Sequence, residues 1–150
     1  MLTQTAEYAL RAAVLLADRH PDATPLGDLT DAARVPGPYL SKVMTQLVRA
    51  GLVRSRRGVG GGYTLAVPPT EVTILTVVDA VDPVRRIETC PLDLPSHGVR
   101  LCPLHARLDR AIAGVREALG SATLADLLAE PTDSPPLCDA AERPGPPPAG

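Results

Sequence analysis

LVRSRRGVGGGYTLA, residues 52–66, places two short β-prone runs on either side of a basic turn that is rich in glycine. Glycine tolerates the positive φ angles of tight turns, so the pattern predicts a β-hairpin. Its three arginines attract phosphate, because a guanidinium donates paired hydrogen bonds to phosphate oxygens. A strand follows the glycines and no GxxxxGKS/T motif is present, which argues against a nucleotide phosphate loop. Taken alone, this segment also fits a solvated surface hairpin.

The charge of the chain is unevenly distributed. The whole protein carries a formal net charge of -2, yet residues 32–70 contain no Asp or Glu. The basic residues of this block are Arg34, Lys42, Arg49, Arg54, Arg56 and Arg57. A block of one sign inside an otherwise acidic protein predicts a surface that binds a polyanion.

Three helices are predicted before the hairpin, over residues 3–19, 26–34 and 38–50. A Val-Pro-Gly-Pro break separates the second from the third, and Gly51 ends the third. The third helix has an apolar stripe at helical spacing. Its members are Leu40, Val43, Met44, Leu47 and Val48. The opposite face carries hydrogen-bonding and basic side chains, namely Tyr39, Ser41, Lys42, Thr45, Gln46 and Arg49.

This order of elements predicts a winged helix-turn-helix that binds double-stranded DNA. In such a fold the third helix lies in the major groove, and the hairpin wing lies along the neighbouring backbone or minor groove. Expected at the base edges are Tyr39, Ser41, Lys42, Thr45 and Gln46. Expected at phosphates or in the minor groove are Arg49, Arg54, Arg56 and Arg57, with Gly60 and Gly61 at the wing tip. The alternative is a winged helix that contacts another protein.

The second half of the chain predicts a dimerisation helix. A short helix over residues 73–81 is followed by a loop over 87–101, a longer helix over 103–119 and a short helix over 123–129. The longer helix has a narrow, heptad-like apolar seam that a second subunit would bury. The seam consists of Leu104, Leu108, Ala111, Val115 and Ala118, with Ile112 beside them. Packing of this seam against its own domain is the alternative.

A single domain over residues 1–130 is therefore expected, mainly α with a small β-hairpin. It would comprise a DNA-binding unit at about residues 1–67, a sensor loop at about 87–102 and the dimerisation helix at about 103–119. Residues 131–150 contain seven prolines and predict a disordered tail.

The loop before the long helix carries candidate ligand chemistry. Eleven residues separate Cys90 from Cys102, His97 lies between them, and His105 follows Cys102 by one helical turn. Thiolates and imidazoles are the groups that bind iron–sulfur clusters and zinc. The spacing of Cys102 and His105 places both side chains on one helix face.

Three separated segments resemble the Rrf2 family of bacterial winged-helix regulators, which includes IscR-like and NsrR-like members. They are TAEYALRAAVLLA at residues 5–17, PYLSKVMTQLVRAGLV at 38–53 and RRGVGGGYTLAVPP at 56–69. The resemblance spans about residues 1–130. It implies a homodimeric transcription factor, usually a repressor, that binds an inverted repeat. Many members sense iron–sulfur status, nitric oxide or redox state through a 2Fe-2S or 4Fe-4S cluster.

The resemblance also implies a ligand set. IscR-like members have a Cys-x5-Cys-x5-Cys-x2-His loop, and Cys90, Cys102 and His105 match its outer cysteines and histidine. Ser96 occupies the middle cysteine position. His97 is adjacent to it, and Glu7 matches a position from which some relatives supply a carboxylate ligand across the dimer.

Three interpretations of the loop stay open. It holds a 2Fe-2S cluster, or Cys90 and Cys102 form a disulfide as a cluster-free thiol switch, or the protein senses another effector. An enzyme that uses Cys102 and His105 as nucleophile and base is disfavoured, because no third orienting residue or oxyanion arrangement is visible. An odd number of cysteines, and the absence of a signal peptide or membrane-spanning run, predict a cytoplasmic protein with no membrane partner.

Overall fold

The mainly α fold with a small hairpin is confirmed. The computed structural model describes residues 2–97 and 100–137. Its helices are α1 Gln4–Asp18, α2 Leu26–Ala33, α3 Gly37–Arg49, α4 Ile74–Val81, α5 Pro103–Gly120 and α6 Leu124–Ala129. Its strands are β1 Val53–Arg56 and β2 Gly62–Leu65, and single 3-10 turns occupy Pro69–Glu71 and Pro95–His97. Each predicted element is present to within a few residues. Most of the predicted tail, residues 138–150, lies outside the described residues.

Helix α1 is the centre of the core. Its start is capped by Thr3, whose side chain accepts a hydrogen bond from the backbone N–H of Ala6. Eight of its residues are buried, five of them alanines, and these small side chains let neighbouring helices approach closely. The helix packs against α2, α3, α4, α6 and β2. It therefore supports the DNA-binding unit on one side and the second half of the chain on the other.

The break between α2 and α3 is a tight turn. Arg34 adopts a left-handed conformation with φ 52° and ψ 48°, and the next residue, Val35, is buried. Pro36 then precedes the first turn of α3. The predicted apolar stripe of α3 forms part of the core, since Leu40, Val43, Met44 and Leu47 are buried and Val48 packs against them.

The hairpin is antiparallel, with Val53 opposite Leu65 and Arg56 opposite Gly62. A third segment joins it, because Thr24 and Tyr63 exchange two backbone hydrogen bonds of 2.8 Å. Gly62 permits this approach: a Cβ there would lie 2.4 Å from the carbonyl of Thr24. The wing is thus attached through its backbone to the segment that leads into α2.

The second half of the chain is less deeply packed. A backbone bridge between Thr73 and Thr123 joins the starts of α4 and α6. Thr123 and Asp126 also form a reciprocal cap at α6. Helix α5 packs against α4, but none of its own residues is buried. Within the described part of the chain, no helix has the length and apolarity required to cross a membrane.

Candidate nucleic-acid interface and cysteine loop

The polar face of α3 is largely accessible. Tyr39 is 59 % exposed, and Ser41, Lys42, Thr45 and Arg49 are all exposed. The Thr45 hydroxyl donates a hydrogen bond of 3.0 Å to the carbonyl of Ser41. This face presents hydroxyls, a phenol and cations to solvent, groups that can contact base edges and phosphates.

Gln46 differs from its neighbours on this face. Its side chain is half-buried, and its Oε1 atom is buried without a hydrogen-bond partner among the described residues. In this conformation the amide oxygen is therefore not presented to DNA. Helical spacing alone indicated a fully exposed residue.

Helix α1 supports the start of α3 through an aromatic contact. The rings of Tyr8 and Tyr39 are 6.2 Å apart, and the Arg11 guanidinium lies 5.8 Å from the centre of the Tyr8 ring. Arg11 also donates a 3.4 Å hydrogen bond to the carbonyl of Ala33. Sequence reasoning missed these supporting residues, because no local pattern connects α1 to α3.

The wing presents its arginines freely. Arg54, Arg56 and Arg57 are exposed, and none of them forms a salt bridge within the described residues. Between the wing and the start of α2 lies an open cavity of about 530 Å³. It is lined by Pro25, Leu26, Ser55, Arg56, Arg57, Gly58, Gly60, Gly61, Gly62 and Tyr63. The cavity and the exposed face of α3 both belong to the acid-free block, so the same surface combines basic charge with concave shape.

The cysteine loop brings together only part of the implied ligand set. Cys102 is the residue immediately before α5, and its Sγ atom lies 3.3 Å from Nδ1 of His105. Cys90 is buried, with 5 % of its surface exposed. Ser96 is exposed. The side chain of His97 lies outside the described structure.

Glu7, the remaining implied ligand, forms a 3.0 Å ion pair with Arg11 on α1. In the described residues of one protomer, no group of three His, Cys, Asp or Glu is close enough to hold a metal ion. The side chains described here therefore do not by themselves fit a 2Fe-2S cluster, and they bring only Cys102 and His105 into contact.

The segment just before this loop is held on α5 by a carboxylate. Asp109 accepts two hydrogen bonds of 2.6 Å from Arg86 and one of 2.9 Å from the backbone N–H of Ile87. The hydrogen bonds from Arg86 are the largest cause that lowers the pKa of Asp109 to about 2. The same contact raises the pKa of Arg86. These residues carried no signal in the sequence, because 22 residues separate Ile87 from Asp109.

Comparison with known proteins assigns the family. The sequence profile of Rrf2, described as an iron-dependent transcriptional regulator, matches residues 2–130. The chain belongs to the Rrf2 family. A Mycobacterium tuberculosis H37Rv protein, Rv1287, is 39 % identical over 132 residues, which cover 84 % of this chain and 80 % of the relative. Its name describes an HTH-type transcriptional regulator.

Solved structures share the fold. CymR, the global cysteine regulator of B. subtilis, superposes with a TM-score of 0.71 at 27 % identity and covers 86 % of this Rrf2 chain and 96 % of its own. The oxidized form of Staphylococcus aureus CymR gives 0.69 at 26 % identity, covering 89 % and 99 %. IscR of T. potens gives 0.71 at 24 % identity, covering 86 % of each chain, and shows the fold alone. The chain is therefore a winged-helix, DNA-binding transcriptional regulator, and the family and relative names describe regulators and not enzymes.

Proposed function

We propose that this Rrf2 protein binds an inverted-repeat operator as a homodimer and represses transcription. The observation that carries the proposal is the position of the exposed polar face of α3 and the exposed wing arginines within one acid-free block. Each phosphate contact made by an Arg or Lys releases counterions from DNA, which favours binding. A dimer bound over a promoter would exclude RNA polymerase.

The proposed roles follow from the chemistry of the side chains. On α3, the residues assigned to base edges are Tyr39, Ser41, Lys42, Thr45 and Gln46. The residues assigned to phosphates or the minor groove are Arg49, Arg54, Arg56 and Arg57, with Gly60 and Gly61 allowing the wing backbone to approach. Gln46 would have to rotate its amide outward, because its Oε1 atom is buried in the free protein.

The dimer is proposed from the unpartnered surface of α5. Leu104 is 62 % exposed and Leu108 is 47 % exposed, although both belong to the apolar seam. Beside them lies an apolar groove of about 440 Å³. Its lining residues are Leu2, Val84, Ile87, Leu108, Ala111, Ile112, Val115 and Leu119. A second copy of α5 would cover this surface and place two α3 helices on successive half-sites.

Selection from random double-stranded DNA tests the proposal, with Ser41→Ala as a companion variant. We expect the wild-type protein to enrich an inverted repeat with half-sites about one helical turn, or a multiple of it, apart. Ser41→Ala should change the preferred bases without abolishing binding. No enriched sequence from the folded protein would contradict DNA recognition and favour the alternative, a winged helix that contacts another protein.

The proposed sensor is the loop that contains Cys90 and Cys102, responding to redox state, nitric oxide or iron–sulfur status. What supports it is the contact between Cys102 and His105 at the start of α5, the helix proposed to form the dimer. A difference of a few kcal/mol between two states of this region is enough to change operator occupancy. The loop would act either through a 2Fe-2S cluster, with ligands additional to this pair, or as a thiol switch.

Anaerobic purification with iron and sulfide analysis separates the two forms of sensing. Bound iron and sulfide that are lost in Cys102→Ser support the cluster. A colourless protein in which a mild oxidant joins Cys90 to Cys102, with a change in DNA affinity, supports the thiol switch. Absence of both would contradict sensing by this loop and point to another effector, while leaving DNA recognition in place.

A further inference from the structure

The short segment 84–87, which leads from α4 into the cysteine loop, is held by charged side chains of two helices. The backbone N–H of Val84 donates to Asp79 of α4 at 3.0 Å. The carbonyl of Val84 accepts a 2.6 Å hydrogen bond from Arg116 of α5. Arg116 and Asp79 are also paired at 3.0 Å. Both polar backbone groups of Val84 are therefore satisfied by side chains, which fixes the position of the segment.

The second attachment is the Asp109 clasp, formed by Arg86, Ile87 and Asp109. One oxygen of the Asp109 carboxylate accepts from Arg86 and from the Ile87 backbone, and the other accepts from Arg86 alone. The Asp109 side chain is 15 % exposed, against 48 % for Arg86. Charge-assisted hydrogen bonds to a partly buried carboxylate are stronger and more specific in geometry than those between neutral groups.

The clasp and the thiol–imidazole contact lie on the same face of α5. Cys102, His105, Asp109, Ile112 and Arg116 follow one another at spacings of three and four residues, which align on one side of a helix. The exposed leucines of the apolar seam occupy a different stripe. One face of α5 therefore contacts its own chain, and the neighbouring face is left for a partner.

The position of Cys90 gives the clasp a consequence for thiol chemistry. Cys90 is buried and follows Ile87 by only three residues. Because Ile87 is fixed to α5, the chain can place Cys90 with few backbone torsions left to order. Without the clasp, the nearest side-chain attachment of the backbone would be at Val84, and the segment that carries the thiol would sample more open states.

We propose that Asp109 is a positioning residue that keeps the Cys90 thiol in its buried place by holding Ile87 on α5. This inference rests on the proposed function only where it calls the loop a sensor. In that setting the clasp governs how readily the Cys90 thiol reaches an oxidant or a ligand. It therefore sets the reactivity of the loop without touching the reacting groups.

The test measures alkylation of Cys90 by N-ethylmaleimide in a Cys102→Ser, Cys138→Ser background, where Cys90 is the single thiol. Mass spectrometry gives the labelling rate of the folded, DNA-free protein at neutral pH. Asp109→Ala should raise the rate about tenfold, since labelling follows the population of the open form when opening and closing are fast. Glu117→Ala is the matched control, because it removes the same charge from an exposed position on α5.

Two further variants keep the test decisive if Asp109→Ala fails to fold. Asp109→Asn keeps an acceptor for Ile87 and loses the ion pair, and Arg86→Ala keeps the carboxylate. Both should fall between the wild type and Asp109→Ala, with circular dichroism confirming the fold. Labelling rates equal to those of the wild type and of Glu117→Ala would overturn the role of the clasp. Labelling is measured without DNA or oxidant, so that result would leave the proposed regulator standing, and loss of DNA recognition would leave the clasp standing.

Discussion

The two longest helices of the molecule are packed in opposite ways. Helix α1 has 15 residues, eight of them buried, and it touches most of the other elements. Helix α5 has 18 residues, none of them buried, and it rests on α4 through polar contacts at its edges. The DNA-binding half is thus completed by one chain. The half that carries the cysteines keeps an apolar surface that the chain itself leaves open.

The largest expected effect comes from a cavity under α1. Leu16→Ala should lower the free energy of unfolding by about 2–5 kcal/mol, because Leu16 is fully buried. Leu108→Ala removes the same atoms from a side chain that is 47 % exposed, and should cost the protomer far less. Urea denaturation at low protein concentration measures both. Equal losses would show that the two helices are not packed as differently as described.

The next effect concerns the open face of α5. Leu108→Glu should weaken self-association about a hundredfold, because a carboxylate would be buried against apolar side chains of the second copy. Analytical ultracentrifugation measures the change. Arg107→Glu, an exposed neighbour outside the seam, serves as the control. A Leu108→Glu protein that associates like the wild type would contradict the proposed interface.

A smaller effect should come from the attachment of the wing. Gly62→Ala should cost about 1–3 kcal/mol, because its φ of 137° is unfavourable for alanine and its Cβ would overlap the Thr24 carbonyl. Thermal unfolding gives the loss, and weaker DNA binding should accompany it. Gly27→Ala provides the contrast. It lies in α2 with open space around it, and should stabilise by roughly 0.5–1 kcal/mol. The same sign for both variants would argue against the close approach.

The smallest effect is the titration of the clasp on the α5 side. The pKa of Asp109 is lowered from 3.8 to about 2, so its contribution to stability is complete above pH 4 and is lost as the pH falls towards 2. NMR titration of the carboxyl carbon should show a midpoint near 2 in the wild type. In Arg86→Ala the midpoint should move back towards 3.8. A wild-type midpoint at 3.8 would show that the ion pair is absent in solution.

The two halves also differed in how much the sequence revealed. The stripe of α3 follows from helical periodicity, and the wing follows from glycine and β-prone runs, because both are local patterns. The bridge between Thr24 and Tyr63, the contact between Tyr8 and Tyr39, and the clasp on Asp109 join residues distant in the chain. Partial burial of Gln46 likewise depends on neighbours from other elements. Charge distribution therefore located the DNA-binding face, while the contacts that position it required the three-dimensional fold.

The most direct test of the central claim is the salt dependence of DNA binding by Arg56→Ala and by Arg107→Ala. Both variants remove one exposed cation, the first from the wing and the second from α5. Fluorescence anisotropy on a duplex of the selected sequence gives log K against log salt concentration. Arg56→Ala should bind more weakly and lower the magnitude of the slope by about 0.9, the value for one lost phosphate contact. Arg107→Ala should match the wild type. An unchanged affinity and slope for Arg56→Ala would contradict a wing that holds DNA.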